Sequence, residues 1–384
     1  MELVQQKKMC CGCRTCEKIC PQKAIHMEPD KCGFLYPIID KRKCVDCGLC
    51  LKKCAFQSGY RTRKEFDPFY GYGARHKKEE GYMESRSGGA FVALSDWIIN
   101  HGGVAYGAGF DEKEGFYKVV HKEAKTFEQR DEFRCSKYVQ SDLGDVFPRI
   151  KEELEKGELV LFSGTGCQVG ALYSYLGKDF ENLYTIDIVC HGVPSPKMWK
   201  DFLKMREKEF HGKVEQVQFR DKKKYGWTPH YESIKINGKM QYSRIYGKLF
   251  SKGYYRPSCF CCVYTNQNRP GDITIADFWG HEKAIPGVWD DEKGISLVLV
   301  NNRHGMEWWK NSNQELEYID CTGYPFRHTN MKRPTKKPET YENFWKDYQE
   351  KGFEMVVKKY ADYQPENYWK KRISSLFKKE KKEK

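Results

Sequence analysis

Hydrophobic and polar positions fall into a steady rhythm only from about residue 88 onward. There, SGGAFVALSDWIINHGG sets Phe91, Leu94, Trp97 and Ile98 at helical spacing and stops at Gly102-Gly103, which predicts an amphipathic helix. VAYGAGF alternates like a strand, VFPRIKEELEKGE reads as a second helix, LVLFSG as a buried strand, QVGALYSYLG as a helix and LYTIDIVC as a strand. Strands alternating with helices predict an α/β core. YESIKINGKMQYSRI reads instead as an antiparallel hairpin turning at Asn237-Gly238, so the sheet is expected to be mixed. The preceding residues, 61–84, are polar, rich in glycine and aromatics, and without a steady period; they read as a connector wrapping the surface.

Cysteines change this picture at the N-terminus. The chain of 384 residues has seventeen, and CCGCRTCEKICP supplies Cys10, Cys13, Cys16 and Cys20 followed by Pro21, the C-x2-C-x2-C-x3-C-P run of bacterial ferredoxins. CVDCGLCLKKCA repeats the spacing with Cys44, Cys47, Cys50 and Cys54, with Ala55 where the motif has proline. Three thiolates from one loop wrap three corners of a cubane cluster, and the fourth cysteine reaches the other cluster. One cluster is therefore expected on Cys10, Cys13, Cys16 and Cys54, and the other on Cys44, Cys47, Cys50 and Cys20. Zinc favours two C-x2-4-C pairs divided by a spacer and fits less well. Cys11 and Cys32 fall outside the scheme and read as small packed or partly exposed thiols.

Length allows more than one core. The net charge of +14 is spread among acidic neighbours, as in KKEEGY and KEELEKGE, so it reads as a solvated basic surface that suits an acidic electron carrier better than nucleic acid. The opening MELVQQKKMC has no apolar stretch for export and the cysteine total is odd, which points to a reducing cytosol and a cytoplasmic protein. No run approaches the roughly twenty apolar residues of a spanning helix.

Three glycine-containing turns are candidates for chemistry. SRSGGAF and SGTGCQVGAL place small residues where a helix begins, so their backbone N–H groups suit a phosphate, and tight packing explains them equally well. Neither matches G-x-G-x-x-G or the P-loop. The third, IDIVCHGVPSP, ends a strand at Cys190-His191-Gly192; a lone histidine there is more often structural, and His191 is not assigned as an acid. Cys167 and Cys190 at such loops, with the Cys259–Cys262 pair of RPSCFCC, suffice for a third cluster, for zinc, or for inert buried thiols.

Taken in order, CRTCEKICP, CVDCGLC, SGGAFVAL, GGVAYGAGFD, KYVQSDLGDVF, LFSGTGCQVGAL, VCHGVPSP, RPSCFCC, DITIADFWG and GISLVLVN resemble the coenzyme F420 hydrogenase/dehydrogenase beta-subunit family, in its bacterial form with an N-terminal two-cluster ferredoxin. The family typically has proline where this chain has Gly166. The resemblance implies FAD in the core and electron transfer between flavin and clusters. It makes Ser87, Gly88, Gly89, Gly164, Thr165, Gly166 and Gln168 candidates for holding FAD. It also favours a third 4Fe-4S cluster on Cys167, Cys190, Cys259 and Cys262, with Cys261 as a substitute ligand. A flavin beside clusters converts two-electron into one-electron transfer, linking a small-molecule hydride donor or acceptor to the clusters.

The expected organisation is an α+β / α/β protein: a two-cluster ferredoxin-like domain at 1–60, a linker at 61–84, a mixed-sheet flavin-binding core at 85–330 and a basic, aromatic helical tail at 331–384. In that tail Trp369, Ile373, Leu376 and Phe377 share a face ringed by lysines, which suits a packed terminal helix or contact with an anionic membrane surface. The competing functions are an electron relay without a substrate site, and a redox-sensing or nucleic-acid-binding protein using its clusters structurally.

Overall fold

The computed structural model describes residues 3–57 and 62–363. At the N-terminus, β1 (Ile25–Pro29) pairs antiparallel with β2 (Leu35–Ile39), with Ile25 opposite Ile39. Each cysteine run bends alike: Gly12 (φ 74°) and Arg14 (φ 63°) flank Cys13 in the left-handed region, and Asp46 (φ 50°) and Gly48 (φ 70°) flank Cys47. Reversing hand on both sides of the middle cysteine curls each loop round one point. At Arg14, left-handed backbone costs about 1–2 kcal/mol. Its side chain offsets this by donating to Glu17 at 2.7 Å and to Asp142 at 3.0 Å, which also ties the loop to the core.

The later strands are β3 (Tyr70–His76), β4 (Val104–Asp111), β5 (Gly115–Ala124), β6 (Val160–Thr165), β7 (Leu183–Ile188), β8 (Val214–Gln218), β9 (Glu232–Ile236), β10 (Lys239–Ser243), β11 (Ile273–Asp277), β12 (Ser296–Val300) and β13 (Leu316–Asp320). Eight form the central sheet in the order β13-β3-β12-β11-β7-β6-β4-β5. Neighbours among β4, β6, β7 and β11 run parallel, and the outer pairings are antiparallel, so the sheet is mixed as expected. Val160, Leu161 and Phe162 are fully buried because helices cover both faces. The Asn237-Gly238 hairpin forms, with both residues at positive φ, but it belongs to a separate three-stranded sheet β10-β9-β8.

The segment 61–84 is more than a connector. Tyr70–His76 enters the central sheet between β12 and β13. Gly71 and Gly73 are needed there, since a Cβ would stand 2.7 Å from Phe326 and 2.9 Å from Phe278. The helices Tyr341–Lys351 and Phe353–Ala361 pack through Phe344, Trp345, Val356 and Val357 against Trp199 and Phe202 of the helix Pro196–Phe210. Trp369, Ile373, Leu376 and Phe377 lie outside the described residues. Among the described residues no helix is long and apolar enough to cross a membrane.

Candidate functional site

The cysteines gather into three sets. In the first, the Cys16 thiol is pushed well above its ordinary value by burial and by repulsion from Cys13, Cys10 and Cys54, and Cys54 likewise feels Cys13 and Cys10. In the second, Cys20, Cys44, Cys47 and Cys50 line one small cavity beside Ile25 and Ile39. The exchange of fourth cysteines between the runs is therefore present in the geometry. The second set lies at the surface: Cys47 is exposed and Val45 is 63 % exposed.

Cys167, Cys190, Cys259 and Cys262 line a third cavity. Cys190 follows β7, and Cys167 sits in the first turn of the helix Gly166–Leu176 rather than in a loop. The segment carrying Cys259 and Cys262 is tied to β7 and the turn after it: Arg256 N donates to Val193 O at 2.9 Å, and Arg269 Nε donates to the buried Asp187 at 3.0 Å. Burial raises Cys262 well above its ordinary value, with added repulsion from Cys167, Cys259 and Cys190. Burial pushes Cys190 up to about 12. Among the described residues no three His, Cys, Asp or Glu side chains converge as they would on a single ion. Cys261 is exposed, donates to Lys8 O at 3.4 Å, and does not line this cavity.

Cys11, expected as a spare packed or partly exposed thiol, is partly buried and sits close to two of the sets. It lines the third cavity, and its retained proton serves Cys13 and Cys167, holding Cys13 down to about 6 and Cys167 below its ordinary value. It thus stands between the first and third sets. Cys32 is partly buried, accepts a weak hydrogen bond from Gln349 at 3.4 Å, and takes part in none of the sets.

Cys11, Cys167 and Cys190 also border a larger cavity of about 310 Å³ at the C-terminal ends of β6, β7 and β11, where α/β sheets usually bind ligands. Ser87, Gly89, Gly164, Thr165 and Gln168 line it, whereas Gly166 lines the neighbouring cavity of the third set. Gly88 answers to packing: a Cβ there would meet Ala74 O at 2.2 Å and Ser296 N at 2.6 Å. Gln168 caps its own helix, accepting from Thr165 N at 2.9 Å and donating to Ser141 at 2.9 Å. Gly166 occupies the first position of the helix, which proline also tolerates, so the chain keeps the turn without the family's proline.

Sequence reading missed the polar groups facing this cavity. Arg86 is 7 % exposed; one amino group donates to Trp227 O, while Nε and Nη1 have no hydrogen-bond partner among the described residues, and Asp277 stands 3.9 Å away. Lys222 anchors the same turn by donating to Ser87 O at 2.9 Å and Lys293 O at 2.8 Å, and burial holds it down to about 7. Burial also depresses His121, to about 4, and His328. Each ties one ring nitrogen to a carbonyl, Ser163 O at 3.0 Å and Asp277 O at 2.7 Å, and leaves Nδ1 without a partner among the described residues. A cation and neutral imidazoles lining one cavity suit an anionic, heteroaromatic ligand.

Residues 157–322 match the family model for the C terminus of the coenzyme F420 hydrogenase/dehydrogenase beta subunit. This segment belongs to that family. The matched beta-subunit segment holds β6, β7, β11, β12 and β13 and all four cysteines of the third set. Among solved structures it is similar to a chain of the xenon-derivatized F420-reducing [NiFe] hydrogenase complex from Methanosarcina barkeri, at 16 % identity and a TM-score of 0.44, covering 76 % of this chain and 91 % of that one. No curated protein matches it.

Proposed function

We propose that the chain is an iron–sulfur flavoprotein oxidoreductase, with three 4Fe-4S clusters on the three thiol sets and FAD in the 310 Å³ cavity. The observation that carries this reading is continuity: Cys11 joins the first set to the third, and Cys167 and Cys190 border both the third set's cavity and the larger one. FAD supplies the exchange between hydride transfer and single-electron transfer that clusters alone lack. Arg86 and the turn Ser87–Gly89 would face its phosphates, while His121 and His328 would face polar atoms of the bound molecule. The second and third sets each place four cysteines around one cavity, which suits a four-cornered cluster.

The partners follow from the two ends of this path. At the cavity end, a small-molecule hydride donor or acceptor exchanges electron pairs; at the other, the exposed Cys47 is bordered along the chain by exposed Lys41, Arg42, Lys43 and Lys52, which suit an acidic one-electron carrier. The test uses anaerobically prepared, FAD-loaded protein mixed in turn with reduced F420, NADH and NADPH, then with a small acidic ferredoxin. One donor is expected to bleach the flavin and then the clusters. Reversing Lys43 and Lys52 to glutamate should slow ferredoxin reduction roughly tenfold at low salt, and less as salt screens the charges. Clusters and flavin present but unreduced by every donor would favour the relay reading.

A further inference from the structure

Arg256 opens the segment that carries Cys259 and Cys262, yet its side chain works inside the N-terminal module. It is fully buried, at 0 % exposure. Nε donates to Cys10 O at 2.7 Å, Nη2 to Leu35 O at 2.8 Å and Nη1 to Gln140 at 3.1 Å. Nη2 also reaches Cys10 Sγ at 3.5 Å, and Gly12 N approaches the same sulfur at 3.4 Å. The guanidinium lies 4.2 Å from the centroid of the Tyr36 ring and 5.5 Å from that of Phe34.

A buried guanidinium costs several kcal/mol unless negative charge accompanies it. Here its donors go to the carbonyls of Cys10 and Leu35, the Gln140 amide and Cys10 Sγ, with no carboxylate paired to it among the described residues. Carbonyls and aromatic faces stabilise the cation without neutralising it. Hydrogen bonds to the sulfurs and nearby charge are the means by which a protein sets a cluster's potential.

We propose that Arg256 is the counter-charge of the cluster on Cys10, Cys13, Cys16 and Cys54, and that its N–H···S contact raises that cluster's potential above the value the thiolates alone would give. Reduction adds a negative charge beside a fixed cation, so the reduced form is stabilised more than the oxidised form. Arg256 is a positioning residue: it touches a ligand sulfur and not the substrate. Because it reaches from the third set's segment to Cys10, it tunes the cluster through which electrons pass between the core and the outer, surface cluster. The inference rests on the cluster reading above.

The test is a redox titration of the anaerobically prepared full chain, followed by EPR, for the parent, Arg256→Gln and Arg256→Lys; Cys16→Ser identifies which potential belongs to the first set. Arg256→Gln should keep its iron and shift that potential negative by at least tenfold in reduced-to-oxidised ratio at fixed potential, about 59 mV for one electron. The other two potentials should stay in place. Arg256→Lys, retaining charge but losing the fork, should move the same potential in the same direction by less. Unchanged potentials in a folded, fully loaded Arg256→Gln protein, or three potentials moving together, would overturn the proposal. Should Arg256→Gln fail to fold, Arg256→Lys decides on the same criteria. A parent protein with no iron would instead sink the cluster reading itself.

Discussion

Cys190→Ser protein, prepared without air, is expected to hold about eight irons per chain where the parent holds about twelve. Cys190 follows β7, partly buried beside Cys167, Cys259 and Cys262, and desolvation with repulsion from Cys167 keeps its thiol protonated until a cluster takes it as thiolate. Serine preserves the volume, so the fold is retained, but its harder oxygen is a poor ligand for iron beside soft sulfide. Cys261→Ser is the matched control. It lies two residues from Cys259 in the same RPSCFCC run, yet its thiol is exposed and turned toward Lys8 O, so all the iron should remain. Loss of iron from Cys261→Ser and not from Cys190→Ser would reverse the assignment.

Arg86→Met is expected to weaken FAD binding by roughly 10–100-fold while leaving the FAD-free protein as stable as the parent or more so. The two halves have one cause. Nε and Nη1 of Arg86 are buried without hydrogen-bond partners among the described residues, and its ion pair with Asp277 is long at 3.9 Å. Such a charge destabilises the flavin-free protein and is relieved by an anion. Methionine fills the space without the charge, and Asp277 keeps Arg220 at 3.2 Å. Fluorescence titration with FAD and a thermal melt of the flavin-free protein read the two effects separately. Equal FAD affinity in both proteins would remove Arg86 from the site, and a large loss of stability would make it a structural residue.

The parts legible in the sequence are those whose chemistry is set by spacing along the chain. The two four-cysteine runs declare themselves because three ligands must come from one short loop, and the Asn237-Gly238 hairpin because its turn needs two residues at positive φ. The helix Ala90–Asn100 and strand β6 follow from hydrophobic period alone. Strand β3 is hidden because YGYGARH reads as part of an aperiodic connector: its glycines yield to Phe326 and Phe278, and Arg75 is buried in a two-pronged pairing with Asp291 at 2.7 Å. Arg86, Arg256 and Cys11 are illegible for another reason. Each acts on residues brought near only by the fold, Arg256 on Cys10 and Cys11 on Cys167, and no local pattern marks a single side chain for such contacts.

The central claim is that the three thiol sets hold cubane clusters beside a flavin, and the most direct measurement is metal, acid-labile sulfide and flavin analysis of the full chain purified without air. The account predicts about twelve irons, about twelve sulfides and one bindable FAD per chain. Colourless protein carrying zinc and no sulfide would contradict it.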